Sequence, residues 1–194
     1  MNIALVGMPG CGKSTVGRHL ARQLGRSFID ADSEIEREIG SAIRPWFERH
    51  GEEAFRDVEE RVIGVLSARE GLVIATGGGA VLRAANRDAL HAHCTVFYLR
   101  ASAEDLARRL RHDRSRPLLQ VADPLRRLRE LYRERDPLYR RCAHYVIETP
   151  RPSVPALLHM VLMQLELAGL VDPQQVPSQV GAAAAPGAVD SRRH

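Results

Sequence analysis

The chain has 194 residues, enough for one domain of ordinary size with a substantial core. Charged residues make up 27% of it and hydrophobic residues 44%, fractions close to the globular average that exclude wholesale disorder and a coiled coil. A net charge of +4 is too small to indicate a nucleic-acid-binding protein by itself.

Short β-branched runs alternate along the chain with longer amphipathic stretches, which is typical of a parallel sheet covered by helices. The predicted strands are Ile3–Val6, Ser27–Ile29, Leu72–Ala75, Thr95–Leu99 and Tyr145–Ile147, most of them apolar throughout, as buried strands should be. The predicted helices are Lys13–Leu24, Asp32–Ile39, about Glu52–Ala68, Asn86–Ala92, Ala103–Leu110, Pro124–Arg141 and Val154–Ala168. We therefore expect an α/β fold with three layers, α/β/α, around a five-stranded parallel sheet.

The two ends of the chain and its cysteines bear on location. Residues 171–194 are rich in Pro, Gln, Ser, Gly and Ala and too poor in large apolar groups to pack, so a disordered tail is predicted there. The N-terminus lacks the layout of a signal peptide, and no apolar run is long enough to span a membrane. Cys11, Cys94 and Cys142 lack the spacing of a disulfide framework or a zinc site. We expect a cytoplasmic protein with three reduced thiols.

The strongest signal is a glycine-rich loop between the first predicted strand and the first predicted helix. Residues 7–15, GMPGCGKST, match the P-loop pattern G-x-x-x-x-G-K-[ST]. Its backbone N–H groups can surround phosphate oxygens, Lys13 can reach the terminal phosphates, and Ser14 can hold Mg²⁺. Lys13 is the only lysine of an arginine-rich chain, which indicates a position where the arginine fork would not fit. The predicted ATP-binding residues here are Gly10, Cys11, Gly12, Lys13, Ser14 and Thr15.

Polar residues and glycines follow the next two predicted strands, at the carboxyl edge of a parallel sheet where ligands bind. Asp30 and Asp32 follow the second strand: one could join a magnesium shell and the other could orient an acceptor hydroxyl and favour its deprotonation. Asp32 could instead cap the following helix. Residues 77–79 are three glycines, whose exposed backbone N–H groups a ligand could approach without obstruction.

Three arginines are further candidates. Arg116 lies in a polar segment between two helices, predicted as a lid over about residues 112–124 that would carry this arginine to the transferring phosphate and exclude water. Arg56 and Arg135 stand in arginine-rich stretches and, taken singly, are typical of solvated surfaces.

From Met1 to about Gly169 the chain resembles the shikimate kinases, relatives of the nucleoside monophosphate kinase fold. The order and spacing of the motifs carry this resemblance, and no single motif does. The matching segments are the P-loop, 28–32 (FIDAD), 51–56 (GEEAFR), 75–81 (ATGGGAV), 116–119 (RPLL) and 135–139 (RDPLY). The resemblance implies one domain over residues 1–170 with a helical acceptor-binding insertion at about 31–60.

The activity that the resemblance implies is ATP- and Mg²⁺-dependent phosphorylation of the 3-hydroxyl of shikimate, in the chorismate pathway of aromatic amino acid biosynthesis. It implies that Arg56 and Arg135 hold the shikimate carboxylate, and that Asp32 grips the ring hydroxyls, including the one that attacks. Gly78 is implied as a further contact, with Gly77 and Gly79 beside it in the same loop.

The resemblance also implies a nucleotide half of the site. Ser14 and Asp30 would organise one Mg²⁺ per subunit, and Lys13 and Arg116 would steady the γ-phosphate. Arg109 and the segment near Arg151 would flank the adenine. Lys13, Asp32 and Arg116 are thus the predicted catalytic residues.

Two other functions remain open on the residues alone. A related P-loop kinase for gluconate or a nucleoside monophosphate would share the P-loop and lid but need a different acceptor pocket. The arginine run over residues 108–141 could bind nucleic acid, although acidic residues interrupt it and no aromatic platform accompanies it. We expect a monomer whose partners are ATP and shikimate, without nucleic acid or membrane.

Overall fold

The computed structural model describes residues 1–110, 123–148 and 153–172. Its strands are β1 (Asn2–Val6), β2 (Ser27–Asp30), β3 (Leu72–Ala75), β4 (Cys94–Arg100) and β5 (Tyr145–Glu148). They form one sheet in the order β2-β3-β1-β4-β5, and every neighbouring pair is parallel. The predicted α/β fold with a five-stranded parallel sheet is therefore confirmed.

Helices flank this sheet. Those of the described residues are α1 (Lys13–Gln23), α2 (Ala31–Ile39), α3 (Ile43–Ala68), α4 (Ala84–His93), α5 (Ala103–Leu110), α6 (Pro124–Cys142) and α7 (Val154–Leu167), with a single 3₁₀ turn at Ala80–Leu82. Each predicted helix is present, and apart from α3 the ends differ from the prediction by no more than two residues.

Helix α3 is the exception: it spans Ile43–Ala68, so a helical segment that the sequence did not predict precedes the predicted helix of about Glu52–Ala68. The chain is interrupted inside it at Gly51, whose φ of 84° and ψ of 175° are not helical. This glycine argues against one continuous helix in the sequence. Glu36 stabilises the first turn by accepting the Ile43 N–H at 3.1 Å. After Gly51, in the segment that carries Arg56, the side chain of Arg61 pairs with Glu38 of α2, so α2 anchors both segments.

The carboxyl ends of β1, β2 and β3 bring the predicted site together at one edge of the sheet. The P-loop follows β1, Asp30 ends β2, and the three glycines come just after β3. Thr76, the residue before the three glycines, is bonded to β1. Its N–H and its hydroxyl both donate to the Leu5 carbonyl oxygen, at 3.2 and 3.1 Å. The glycine run is thus held beside the P-loop.

Two further observations concern membrane-spanning helices and the cysteines. No helix within the described ranges is both long enough and apolar enough to cross a membrane. Cys11, Cys94 and Cys142 are all buried and unpaired. The predicted lid and the predicted tail lie almost entirely outside the described residues.

His144 joins the start of β5 to β4 through its backbone and its ring. Its N–H donates to the Val96 carbonyl oxygen at 2.9 Å, and its Nδ1 accepts the Val96 N–H at 3.1 Å. Its ring also stacks on His91, with 4.1 Å between the ring centroids. Burial, together with the neighbouring His91, lowers the pKa of His144. An accepting Nδ1 carries no proton, so protonation at that atom breaks the bond to Val96.

We expect the free energy of unfolding to fall as the pH drops through about 6.5, because the unfolded chain binds the proton that folded His144 resists. Urea denaturation between pH 8 and pH 5 measures this slope. His144→Asn, which keeps an acceptor near the Nδ1 position and does not titrate, should flatten the slope. The exposed His159 provides the control, and His159→Asn should leave the slope unchanged. Equal slopes for wild type and His144→Asn would refute this origin of the pH dependence.

Candidate active site

The last glycine and the lysine of the P-loop determine its conformation and its charge. Gly12 has a φ of 104°, which strains any other residue, and α1 starts immediately afterwards, so that its N-terminal N–H groups face the loop. Lys13 is only 8% exposed, and its Nζ donates to the carbonyl oxygens of Gly7 and Met8 at 2.8 and 3.1 Å. No ion pair of Lys13 with a carboxylate occurs among the described residues. Its charge is therefore available to an anion that enters the loop.

Ser14 and Asp30 place a hydroxyl and a carboxylate next to the P-loop. The Ser14 hydroxyl donates to Asp30 Oδ2 at 2.6 Å, and Asp30 Oδ1 accepts the Asp32 N–H at 3.1 Å. The helix cap considered for Asp32 thus belongs to Asp30, because α2 begins one residue earlier than predicted, at Ala31. Oxygen ligands of these two kinds are the ones that Mg²⁺ prefers, and a Mg²⁺ ion usually completes its shell with water and substrate phosphates. The pair fits such an ion.

The three glycines lie in close contact with the predicted acceptor residues. A Cβ atom on Gly77 would lie 2.6 Å from Asp32 Oδ1, and one on Gly79 would lie 2.6 Å from both Nη atoms of Arg56. A Cβ atom on Gly78 would lie 2.7 Å from the Pro9 ring of the P-loop. The absence of side chains at this loop therefore allows the acceptor residues and the P-loop to approach it from different directions.

Arg56 is held by two carboxylates of α3. Its Nη1 lies 2.7 Å from Glu59 Oε2, and its Nη2 lies 3.2 Å from Glu52 Oε1. Glu59 is only 2% exposed, and burial raises the pKa of its carboxyl group while the Arg56 charge opposes that rise. The charges of Asp32 and Arg135 also act on Glu59, so these four groups form one cluster.

Glu59 has no place in the sequence prediction, although a signal for it exists. It follows Arg56 by three residues, and it lies on the face of α3 that also buries Phe55 and Val62. An acidic residue on an otherwise apolar face, at pairing distance from an arginine, indicates a buried ion pair.

Arg135 reaches the glycine loop from α6. It is 6% exposed, and its Nη1 donates to the Gly78 carbonyl oxygen at 3.2 Å. The Nε atoms of Arg56 and Arg135 are both buried and have no hydrogen-bond partner among the residues that the structure describes. Buried donors without partners are costly, and a bound anion would satisfy them.

The remaining predicted residues flank the P-loop or lie outside the described ranges. Arg109 approaches the loop from α5, with its Nη1 3.5 Å from the Gly10 carbonyl oxygen. Cys11 is buried and donates its N–H to the Met8 carbonyl oxygen at 3.2 Å, whereas Thr15 is exposed on α1. Arg116 and Arg151 fall outside the described residues, and their roles stay predictions.

The predicted residues thus form two adjoining groups. Lys13 and Ser14 of the P-loop form, with the neighbouring Asp30, a site suited to a nucleoside triphosphate with its metal ion. Asp32, Arg56 and Arg135 lie around the glycine loop. Here a carboxylate that could accept a hydroxyl proton lies near two guanidinium groups that could bind an anion. Pro9 and Gly78 connect the groups, so an acceptor in the second can face a phosphate in the first.

Most of the chain is similar in sequence to known phosphoryl-transfer enzymes of one family. The protein-family model for shikimate kinase matches residues 9–166. The shikimate kinase of Paracidovorax citrulli is 57% identical over 176 residues, which cover 89% of this chain and 96% of the relative. The shikimate kinase of Burkholderia thailandensis is 56% identical over 171 residues, covering 88% and 93%.

A solved structure agrees with these relatives. Shikimate kinase from Acinetobacter baumannii in complex with shikimate superimposes with a TM-score of 0.82 at 48% sequence identity. The superposition covers 88% of this chain and 95% of that one. The family match over residues 9–166 spans both residue groups.

Proposed function

This chain belongs to the shikimate kinase family, and we propose from this premise that it transfers the γ-phosphate of ATP to the 3-hydroxyl group of shikimate. The products are shikimate 3-phosphate and ADP, in the chorismate pathway of aromatic amino acid biosynthesis. The observation that carries this choice of acceptor is the pair of buried arginines, Arg56 and Arg135, whose Nε atoms have no partner among the described residues. A guanidinium fork bonds both oxygens of a carboxylate, which favours an acidic acceptor over a neutral polyol.

The P-loop side binds ATP in this proposal. Its backbone N–H groups surround the phosphates, and Lys13 steadies the γ-phosphate. Ser14 and Asp30 would hold Mg²⁺, which supplies neutralising charge to the phosphate oxygens when bound. The proposal also keeps Arg116 at the γ-phosphate, and Arg109 and Arg151 near the adenine. The position of Arg109 supports its part, since its Nη1 lies 3.5 Å from the Gly10 carbonyl oxygen of the P-loop.

On the acceptor side, Asp32 orients the 3-hydroxyl and accepts its proton. The 3-oxygen forms a bond to the γ-phosphorus as the bond from that phosphorus to the β,γ-bridging oxygen breaks, and ADP leaves with the electron pair. Because the transition state resembles metaphosphate, it needs in-line positioning and charge neutralisation more than covalent help. The position of Asp32 supports this role: a Cβ atom on Gly77 would lie 2.6 Å from Asp32 Oδ1, so the carboxylate lies beside the loop that faces the P-loop.

We further propose a cytoplasmic monomer that takes only small-molecule partners. The three buried, unpaired cysteines fit a reducing compartment. Several arginines of the run over residues 108–141 are paired with acids of the chain, among them Arg126 with Glu130, Arg129 with Glu104 and Arg140 with Asp136. Such pairing leaves less positive charge for a nucleic acid.

A coupled ADP-release assay with ATP and Mg²⁺ tests the choice of acceptor. Shikimate, gluconate and a nucleoside monophosphate are supplied in separate reactions at equal concentration. We expect shikimate alone to raise ADP release above the rate without acceptor. Release with gluconate or a nucleoside monophosphate and none with shikimate would leave the P-loop assignment standing and refute the acceptor site.

Gly79→Ala should raise the KM for shikimate about tenfold and leave the KM for ATP unchanged, a loss of about 1.4 kcal/mol in acceptor binding. The new Cβ atom would lie 2.6 Å from both Nη atoms of Arg56, which the carboxylates of Glu59 and Glu52 hold in place. Arg56 must therefore move. The matched control is Gly64→Ala in α3, where nothing lies within 4 Å of the added atom. An unchanged KM for shikimate in Gly79→Ala would show that Arg56 does not bind the acceptor.

A further inference from the structure

Two tyrosines stack on each other next to the glycine loop, and their hydroxyl groups donate hydrogen bonds to different partners. Tyr98 of β4 and Tyr139 of α6 are fully buried, with 4.9 Å between their ring centroids. The Tyr98 hydroxyl donates to Asp136 Oδ1 at 2.8 Å, whereas the Tyr139 hydroxyl donates to the Gly78 carbonyl oxygen at 2.5 Å. Only Tyr139 of this pair thus contacts the loop that faces the acceptor.

The Gly78 carbonyl oxygen accepts two hydrogen bonds from α6. One comes from the Tyr139 hydroxyl, and the other from Arg135 Nη1 at 3.2 Å. Burial raises the pKa of Tyr139, so its hydroxyl keeps the proton that it donates. Arg135 is also a proposed ligand of the acceptor carboxylate, so it is shared between the acceptor and the loop. The other contact of the Tyr139 hydroxyl, with Met8 Sδ of the P-loop at 3.8 Å, is long and therefore weak.

A run of three glycines needs this external support. Glycine backbone has more accessible conformations than any other, and no side chain of the loop can pack to fix its peptide planes. The peptide between Gly78 and Gly79 is planar and trans, so its N–H points opposite to its C=O. A bond that fixes the carbonyl toward α6 therefore also fixes the Gly79 N–H on the side away from α6.

We propose that Tyr139 is a positioning residue for the reaction, whose hydroxyl holds the Gly78–Gly79 peptide in the orientation that receives the acceptor. This inference rests on the proposed function and adds a residue to which the sequence assigned no role. Tyr139 acts on the acceptor through the loop and not by touching the acceptor. Its effect should therefore appear in acceptor binding and leave ATP binding unchanged.

Tyr139→Phe removes the hydroxyl alone. The phenyl ring still stacks on Tyr98, and Gly78 keeps its bond from Arg135, so the variant should fold. The loop then spends part of its time in other orientations, and the apparent affinity for the acceptor falls by the fraction lost. We expect the KM for shikimate to rise about three- to tenfold, the size expected for one lost hydrogen bond, with the KM for ATP unchanged.

The matched control is Tyr98→Phe, which removes the other hydroxyl of the same stack. Wild type and both variants are assayed by ADP release with shikimate or ATP varied in turn. The rise in melting temperature at a fixed shikimate concentration gives a second, equilibrium readout. Tyr98→Phe should keep the wild-type KM for shikimate and the full shikimate-induced rise, whereas Tyr139→Phe should lose part of that rise.

Three results would overturn the inference. A wild-type KM for shikimate in Tyr139→Phe means that the hydroxyl does not position the loop, while the kinase function stands. Equal rises of this KM in both variants assign the effect to the stacked rings and not to the bond with Gly78. An absence of shikimate-dependent ADP release in the wild type refutes the proposed function itself, and the inference with it.

Discussion

Lys13→Ala is expected to lower kcat for shikimate phosphorylation by about 10²- to 10³-fold, the loss typical of one electrostatic donor to a transition state. The Lys13 ammonium lies across the P-loop on the carbonyl oxygens of Gly7 and Met8, where it can meet the charge that develops on the transferring phosphoryl group. Initial rates at saturating ATP and shikimate measure the effect.

Lys13→Arg makes the test specific to the shape of the cation. The site is 8% exposed and lined by backbone, so a planar guanidinium should not fit and activity should stay low. Arg18→Ala is the control on the same helix, because Arg18 is exposed and lies over the Phe28 ring. Wild-type kcat in Lys13→Ala would contradict the assignment, and full activity in Lys13→Arg would refute the argument from the single lysine.

Asp32→Asn is expected to lower kcat/KM for shikimate by about 10²- to 10⁴-fold, the range of general acid–base catalysis. Asparagine has nearly the same shape as aspartate but cannot accept the proton of the 3-hydroxyl. The loss should lie mainly in kcat, because Arg56 and Arg135, the proposed ligands of the shikimate carboxylate, are unchanged. Steady-state kinetics with shikimate varied at saturating ATP separates these parameters.

Glu34→Gln is the matched control, since Glu34 is on the same helix and pairs only with Arg37 among the described residues. It should keep wild-type kinetics, and melting temperatures should show that both variants fold. An effect of Asp32→Asn confined to the KM for ATP would move Asp32 from the acceptor to the nucleotide. Unchanged kcat/KM would remove it from the site.

Much of the fold could be predicted because the sheet is parallel and its central strands are buried on both faces. Strands such as β1 and β3 are therefore almost wholly apolar and stand out between amphipathic helices. The segment of α3 before Gly51 could not be predicted, since this glycine weighs against a helix that continues through it. Its start depends on the side chain of Glu36, which only the folded chain brings close.

The site divides in the same way. The P-loop could be predicted because it is one continuous segment whose motif indicates phosphate binding. Glu59 and Tyr139 were missed for different reasons. Glu59 left a local signal beside Arg56, but the bond of Tyr139 to Gly78 joins residues 61 positions apart, and no local pattern encodes it. Asp30 caps α2 in place of Asp32, because α2 begins one residue earlier than predicted and the capping position moves with its start.

The most direct test of the central claim is to identify the product. Wild-type protein is incubated with ATP, Mg²⁺ and shikimate, and the mixture is examined by phosphorus NMR with coupling to the ring protons. The proposed function predicts one new phosphate ester, coupled to the proton on carbon 3 of shikimate and formed in equal amount with ADP. An ester on another hydroxyl, or ADP without any shikimate ester, would contradict it.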